Sequence, residues 1–507
     1  QGAVSMITMQ SWMFLSSFGK LREKILDEDA ILSMAHLGAR AFDSIGGEVV
    51  STTAFVIEKS KHPNYKSAYL RLVEGNCEAD KEKDLKLNRM NPYYASAADF
   101  KKIPGSPIAY WISNTAVNNF KNLMILEELS EAKSGMSSCN SDLFLRRWFE
   151  VSFAAINKNC KSHQDANEST AKWYPYNKGG GNRRWFGYND TVINWENEGE
   201  EIKYFVTHNH KDPETTHWSR RLFNLEYFFR EGLTWSAVSS GRFSCRKVTN
   251  GVIPGTGSKT LYDLDKNKLS IVYSILNTKV ASYYLNVFSP TLNFEAGDVI
   301  KIPITKSIDH NKIFSHRLFV ISRLDWDSYE TSWDFTRLPL LQAEYHQPYL
   351  QESYSALRKH WREMTREMQQ LEEENNRIFI EAYGLQDELS PEVPLNEITL
   401  TCNPYYAVNK PDEELEALLL LDTIKEYISY AVGCMLGRYS LDKEGLVFAG
   451  GEFDPRQYKS FPADQDNVIP ILAEDYFQDD IVTRFAEFVR LTFSATTLEE
   501  NLDYIAD

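Results

Sequence analysis

One periodic stripe of apolar residues constrains the fold of this 507-residue chain more than any other feature. Its members follow one another alternately four and three positions apart: Leu350, Tyr354, Leu357, Trp361, Met364, Met368 and Leu371. This a/d spacing is typical of a helix that packs along another helix. We therefore predict a long helix over residues 349–371, with the charged residues between, including Arg358 and Glu372, on its outer face. The partner helix can belong to this chain or to another one.

The N-terminal residues show β-α-β order. Residues 3–9 form a short apolar run, as in a buried strand of an α/β sheet. Apolar residues at helical spacing from Phe18 to Met34 predict a helix, and residues 49–57 predict a second strand. A buried strand at residue 3 needs hydrogen-bonding neighbours. We therefore expect the chain to begin within a larger fold.

The remaining sequence predicts several domains. Residues 60–90 are polar and are typical of a linker, whereas residues 100–304 are rich in aromatic residues, Gly and Asn. We predict a strand at 202–206, a helix at 269–287, a strand at 299–304 and a strongly apolar helix at 413–436. The predicted class is α/β and α+β, multidomain. Residues 1–90 would end an α/β sheet, residues 91–308 would form a mixed α/β domain, and residues 309–507 would be mainly helical.

The net charge of −16 is distributed unevenly. Residues 464–507 contain 11 acidic and 2 basic residues, whereas residues 172–247 contain 12 basic and 9 acidic ones. Contact with phosphates needs a local basic surface rather than a basic protein. The acidic total therefore does not exclude a nucleic-acid partner. The acidic tail itself is most simply a solvated face.

Several classes of protein are not indicated. No apolar run approaches the roughly 20 residues of a membrane-spanning helix, and the N-terminus lacks the features of a signal peptide. The six cysteines are far apart and include no C-x-x-C pair. This spacing argues against zinc and against a disulfide framework, and it fits a reducing cytoplasm. We predict no metal site.

The segment 172–188, KWYPYNKGGGNRRWFGY, has the most informative local composition. Its glycines allow close approach of the backbone, its cations suit phosphates or guanine edges, and its aromatic residues suit stacking. The same composition also suits an exposed turn anchored by tryptophan. Residues 232–247 are similar in character. The candidate DNA-binding residues are Lys172, Trp173, Tyr174, Lys178, Gly179, Gly180, Arg183, Arg184, Trp185, Tyr188, Ser239, Ser240, Arg242, Ser244, Arg246 and Lys247.

Residues 173–199 resemble the target-recognition domain of the adenine methyltransferases of BREX phage-defence systems, the PglX type. Residues 10–15, 34–38, 103–111 and 428–435, among other stretches, resemble the same family in collinear order. Type IIG restriction-modification enzymes carry related domains. The resemblance implies double-stranded DNA as a partner, together with other BREX defence proteins. It also implies a methyltransferase core, outside this chain, that binds S-adenosylmethionine.

The resemblance frames the expected function as the DNA-recognising, C-terminal portion of a site-specific adenine-N6 methyltransferase. Residues 1–60, within the predicted segment 1–90, look like the last strands of the Rossmann-like sheet of the catalytic core. Phe42 resembles the aromatic residue that helps to hold the extruded adenine. Two Asn-Pro-Tyr-Tyr sequences lack the second proline of the family's catalytic motif, and we interpret both as turns. Two alternatives stay open: a DNA-specificity subunit without its own catalysis, and a scaffold for other defence proteins.

Overall fold

The computed structural model describes a mixed α/β chain that its internal contacts divide into two compact units. Residues 2–45, 50–88, 91–209, 211–239, 241–289, 293–305, 308, 312–471, 477 and 479–506 are described. Unit 1 comprises Gln1–Ser130, Lys279–Asp309 and Ile378–Ser390, and unit 2 comprises Glu131–Thr278, His310–Arg377 and Pro391–Asp507. The domain boundaries predicted at residues 90 and 308 divide the chain by function, whereas these units divide it by contacts. The predicted boundaries are therefore not tested by the units and stay a prediction.

The elements alternate between short strands and helices of very different length. The strands are β1 (Ala3–Met9), β2 (Ala30–Gly38), β3 (Thr52–Glu58), β4 (Ser67–Arg71), β5 (Tyr93–Ala95), β6 (Met124–Ile125), β7 (Glu131–Ser134), β8 (Leu145–Arg147), β9 (Trp173–Asn177), β10 (Thr191–Asn194), β11 (Gly232–Ser236), β12 (Cys245–Val248), β13 (Ile253–Pro254), β14 (Ser258–Tyr262) and β15 (Pro303–Ile304). The helices are α1 (Gly19–Glu28), α2 (Glu78–Asn88), α3 (Ala97–Phe100), α4 (Asn114–Asn122), α5 (Ser141–Phe144), α6 (His163–Glu168), α7 (Glu200–Thr207), α8 (Lys266–Leu276), α9 (Lys279–Phe288), α10 (Ala296–Val299), α11 (Ser315–Asp327), α12 (Leu350–Tyr383), α13 (Asp412–Met435), α14 (Ile481–Thr492) and α15 (Leu498–Ala506). Within the described ranges, no helix has both the length and the apolar character needed to cross a bilayer.

Unit 1 contains a five-stranded sheet in the order β1-β3-β2-β4-β5. Strand β3 is antiparallel to both of its neighbours, and β2 is parallel to β4. The predicted strand at residues 3–9 is confirmed as β1, but its predicted burial is wrong. In the described part of the chain β1 lies at the edge of the sheet, so Val4, Met6 and Ile7 are at least half exposed.

The helix predicted from Phe18 to Met34 is correct only in its first half. Helix α1 ends at Glu28, where Asp29 takes extended backbone angles. Residues 30–38 form β2, whose pairing with β3 and β4 overrides the helix-like spacing of its apolar residues. The predicted second strand appears as β3. The predicted linker contains α2, with acidic residues in its first turn and a lysine in its last.

A buried polar chain lies in the core of unit 1. The ring of His36 bonds to the hydroxyl of Tyr110 at 3.0 Å and to Oε1 of Gln10 at 2.7 Å. Burial, and then the cations of Arg71 and Lys81, lower the pKa of His36 to about 3. All three hydrogen-bonded residues belong to stretches that resemble the methyltransferase family, which indicates that part of the resemblance reflects packing of this core.

Unit 2 contains two four-stranded sheets, in the orders β13-β9-β10-β8 and β12-β11-β14-β7. The strand predicted at 202–206 is wrong, because these residues lie in α7. Ile202 and Val206 are buried at helical spacing, and the left-handed Gly199 precedes the helix. The single helix predicted at 269–287 is two helices, α8 and α9, which are separated at residues 277–278.

The predicted heptad helix is confirmed as α12, and its stripe is largely buried. Leu350, Leu357 and Met368 are at most 1% exposed. The bidentate ion pair between Arg358 and Glu416 of α13 joins α12 to a helix of the same chain, which favours the intrachain alternative. Helix α13 itself confirms the apolar helix predicted at 413–436. However, Arg358 and Glu372 are buried, so their predicted place on the outer face is wrong.

Candidate nucleic-acid interface

The predicted recognition loop begins in β9 and continues through a glycine turn at residues 178–182. Gly179 has a φ of 81°, and a Cβ there would lie 2.2 Å from the carbonyl oxygen of Gly257. The amide of Gly180 donates to Oγ of Ser236 at 3.1 Å. The glycines therefore allow close packing against other turns of this chain, and the predicted approach to a ligand is not needed to explain Gly179.

Arg183 lies in the interior of unit 2 rather than on a basic surface. Its Nη2 donates to Oδ2 of Asp325 at 2.7 Å, its Nη1 to the hydroxyl of Thr401 at 3.0 Å, and its Nε to the carbonyl of Phe186 at 2.7 Å. The side chain is 7% exposed and that of Asp325 is completely buried. All three guanidinium nitrogens are thus occupied within the protein.

Arg184 forms a second buried pair with Glu372 of α12. Its Nε and Nη2 donate to the two carboxylate oxygens at 2.8 and 2.6 Å, and both side chains are 4% exposed. The indole Nε1 of Trp185 donates to the same carboxylate at 2.8 Å, and Trp185 is fully buried. This three-residue cluster fastens the loop to the long helix.

Arg246, predicted as a second base-reading arginine, is also buried. Its Nη1 donates to the carbonyl of Arg183 at 3.2 Å, and its guanidinium lies 5.0 Å from the ring centre of Tyr188. Burial lowers its pKa to about 10, so it stays charged at neutral pH. Arg242 is partly exposed and pairs with Glu397. Burial also lowers the pKa of Arg242 to about 10.

The prediction that these arginines contact base edges is therefore corrected for three of them. Arg183, Arg184 and Arg246 are buried, and so is Trp185, so none of these side chains can reach a duplex. For the first two, the physical reason is that Asp325 and Glu372 attract the guanidinium groups inward, since burying a charge costs least where it is paired and hydrogen-bonded. Arg246 pairs with no acid among the described residues and is held by hydrogen bonds to the carbonyl of Arg183 and Oγ of Ser236.

The other predicted residues are placed less uniformly. Lys172 pairs with Glu196 and Glu201, at 3.3 and 3.2 Å. Tyr174, Ser239 and Ser244 are buried, whereas Trp173 and Tyr188 are partly exposed. Ser240 lies outside the described residues. Phe42 belongs to unit 1, where it is partly exposed in a turn that follows β2.

Two predicted lysines remain available at opposite ends of β11. Lys178 is exposed, next to the exposed Gly180 and Gly181, near the C-terminal end of that strand. Lys247 pairs in register with Leu233, close to its N-terminal end. Leu233 and Ser236 are three positions apart, so these two points on the strand are separated by roughly 10 Å.

Lys247 also lines a polar cavity of about 280 Å³ that sequence reasoning missed. Lys161 and Arg230 line the same cavity, together with the carboxylates of Glu231 and Asp263, so cations are in excess there. No sequence signal joins Lys161, Arg230 and Lys247, since they are separated by 69 and 17 positions and become neighbours only in the fold. In the described part of the chain, no cluster of three potential metal ligands is found.

Comparison with curated proteins gives matches along the whole chain. This chain is 39% identical over 518 residues to the adenine-specific methyltransferase PglX of Lacticaseibacillus casei (strain Zhang). It is 38% identical over 519 residues to the adenine-specific methyltransferase BrxX of Escherichia coli O9:H4 (strain HS). The chain is homologous to a part of the PglX-type adenine-specific methyltransferases. This confirms the resemblance predicted from the sequence, and the chain spans 41% of the length of each relative.

Similarity to solved structures is more distant. The type IIL restriction-modification enzyme MmeI in complex with DNA matches 84% of this chain and 50% of its own, with a TM-score of 0.40 and 8% identity. The DrdV–DNA complex matches 63% of this chain and 38% of its own, with a TM-score of 0.34 and 9% identity. No family model matches the chain.

Proposed function

We propose that this chain is the DNA-recognising portion of a site-specific adenine-N6 methyltransferase of a BREX-type phage-defence system. The observation that carries the proposal is the 38–39% identity along the whole chain to proteins named adenine-specific methyltransferases. In this proposal residues 91–308 select the DNA site, residues 1–90 end the catalytic core, and residues 309–507 brace the recognition sheets. The other proteins of the defence system would be its partners.

S-adenosylmethionine would be bound by another part of the protein. The resemblance places the glycine motif for this cofactor and the catalytic Asn-Pro-Pro-Tyr motif in that other part, and the sequence of this chain contains no Asn-Pro-Pro-Tyr. No step of the reaction is assigned to this chain through the cofactor. Its own contribution would be binding and orientation of the duplex, with Phe42 beside the extruded adenine. Extrusion costs a few kcal/mol, which contacts to the flanking DNA would offset.

The proposed DNA-facing surface is defined by the two available lysines rather than by the buried arginines. Lys178 is exposed in the same turn as the exposed Gly180 and Gly181, and no ion pair joins it to another of the described residues. Lys247 contributes to a cavity with an excess of cations. Both lysines suit phosphate contacts, which position a protein on DNA without reading its sequence. Trp173 and Tyr188, both partly exposed, stay candidates for stacking.

The proposal predicts a measurable salt dependence. We expect the double variant K178E/K247E of the 507-residue chain to bind a random duplex at least tenfold more weakly. The slope of log K against log salt should fall by about 2, because each lost phosphate contact contributes about 0.9. Fluorescence anisotropy with a labelled duplex measures both quantities. The exposed Lys359 of α12 provides the matched control K359E, which should retain wild-type binding.

The outcome also separates the alternatives. If the wild-type chain does not bind a duplex at low salt, recognition is not its role, and the scaffold alternative is favoured. If it binds but the double variant and K359E are equally affected, the DNA-facing surface lies elsewhere. Circular dichroism of each variant must show an unchanged fold, which the exposure of Lys178 and Lys359 makes the expected result for these two positions. Lys247 is only partly exposed, so the single variant K178E is measured beside the double variant.

A further inference from the structure

A second cavity lies in unit 2, formed by the end of α11, the segment that follows it, α12 and α13. Its volume is about 370 Å³. The lining is mostly apolar and aromatic, including Trp326, Tyr329, Leu357, Trp361 and Leu419. A cavity of this size accommodates a small organic molecule or a long side chain. It shares no lining residue with the proposed DNA-facing surface.

Acidic groups stand at one side of this apolar cavity. Asp422 and Glu426 line it, and Glu330 lies close enough to Glu426 to influence its charge. Lys425 also lines the cavity, but it is directed to Asp422, at 3.4 Å, where both side chains are well exposed. Among the described residues, no cation lies within ion-pair distance of Glu426. The local charge is therefore negative and incompletely compensated.

The carboxyl group of Glu426 is poised to respond to a cation. Burial raises its pKa to about 7, and the neighbouring Glu330 and Asp422 add to the shift. An arriving cation would favour the ionised form and would be attracted by the aromatic ring of Trp361, which lines the cavity. The ring of Trp326 already has the guanidinium of Arg183 at 5.2 Å from its centre. An aliphatic stem would meanwhile replace water against Leu357 and Leu419.

We propose that this cavity binds an aliphatic cation, a primary ammonium or guanidinium group on a hydrocarbon stem. Charge complementarity with Asp422, Glu426 and Glu330 selects the head, and the apolar lining selects the stem. The ligand can be a free diamine or the side chain of a lysine or arginine, since both present the same chemistry. The assignment is independent of DNA recognition.

Isothermal titration calorimetry on the 507-residue chain tests the proposal with four probes: cadaverine, agmatine, lysine blocked at both ends, and 1-pentanol as the neutral analogue. We expect at least one cationic probe to bind at pH 8 and 1-pentanol to bind at least tenfold more weakly. Binding by the diamine but not by blocked lysine assigns a free molecule, and the reverse assigns a side chain. Equal binding of 1-pentanol, or binding of no cationic probe, overturns the proposal.

Two further measurements tie the binding to Glu426. The affinity of the wild type for the cationic probe should rise from pH 6 to pH 8, because Glu426 ionises in this range while the probes stay cationic. The affinity of E426Q should be about tenfold lower than that of the wild type at pH 8, and it should not depend on pH. E426Q should fold well, because burial already disfavours the ionised form of Glu426 and the neutral glutamine has a similar shape. The matched control E363Q neutralises an exposed acid of α12 and should bind as the wild type does. Unchanged binding and pH dependence in E426Q would contradict the assignment.

Discussion

Two neighbouring parts of one loop differ completely in their surroundings. The turn at residues 178–182 carries a lysine and glycines that are exposed, whereas Arg183, Arg184 and Trp185 directly after it are buried. Together the two parts give the loop the basic, aromatic and glycine-rich composition that is typical of nucleic-acid contacts. The comparison shows that composition alone does not distinguish a cation that meets a ligand from one that braces the fold.

The difference comes from acids that are distant in sequence. Glu372 lies 188 positions after Arg184, and Asp325 lies 142 positions after Arg183. No comparable acid meets Lys178 among the described residues. Glycine conformation also separates the two parts, because Gly179 has a φ of 81° and approaches the carbonyl oxygen of Gly257 more closely than a side chain would allow.

The largest expected effect is loss of the Arg184–Glu372 pair. We expect R184A to lower the free energy of unfolding by about 3–5 kcal/mol, because it leaves Glu372 buried without its partner. Urea unfolding followed by circular dichroism measures this change. Unfolding of R184A would by itself abolish DNA binding. The DNA binding of R184A must therefore be measured at a temperature at which the variant remains folded.

The double variant R184M/E372M sharpens this result. Replacement of both charges by apolar groups of similar size should recover part of the lost stability, since no buried charge remains unpaired. The indole Nε1 of Trp185 loses its acceptor in this variant, which costs about 1–3 kcal/mol. If R184M/E372M is instead as unstable as R184A, the arginine has a role that pairing does not explain. If R184A unfolds at the wild-type urea concentration, the contrast between the two parts of the loop is wrong.

The sequence predicted α12 and α13 well because their apolar spacing is a local property. It failed for residues 30–38, where pairing with β3 and β4 decides the structure, and for residues 202–206, where Ile202 and Val206 fit a helix as well as a strand. For such short apolar runs, period alone cannot separate the two classes.

The heptad pattern contained an indication that two charged residues are buried, which the prediction did not use. Arg358 and Glu372 each directly follow a stripe residue, Leu357 and Leu371, and are separated by two heptads. They therefore share one heptad position, which core-facing helices bury in addition to a and d. That position could have indicated two buried charges. Their partners could not have been found, because nothing local in Arg184 or Glu416 points to α12.

An intermediate case between the two parts of the loop is the pair Arg358–Glu416, whose side chains are 6% and 25% exposed. The hydrogen-bonded Arg358 lowers the pKa of Glu416 to about 2. A lowered folded pKa stabilises the protein above the ordinary pKa, and this contribution is lost as the pH falls from about 4.5 towards 2. The stability gap between wild type and E416Q should therefore shrink by about 2 kcal/mol from pH 6 to pH 3.

Urea unfolding of both proteins at the two pH values measures that gap. Other carboxylates titrate in the same range, but they are common to both proteins and cancel in the difference. A gap that stays constant would show that Glu416 titrates normally, and that partial exposure already removes the benefit of the pair. This result would show that a pair must be as buried as Arg184–Glu372 before it contributes to the free energy of unfolding.

The smallest expected effect is that of K178A on stability. An exposed lysine without an ion pair should contribute less than about 0.5 kcal/mol to the free energy of unfolding. Its removal should nevertheless weaken binding to a duplex, with a decrease of about 0.9 in the salt slope. K178A is thus expected to weaken DNA binding with little change in stability, whereas R184A is expected to lower stability without removing a DNA contact. If K178A destabilises the chain by more than about 1 kcal/mol, the exposed turn braces the fold as the arginines do, and Lys178 no longer supports a DNA-facing surface.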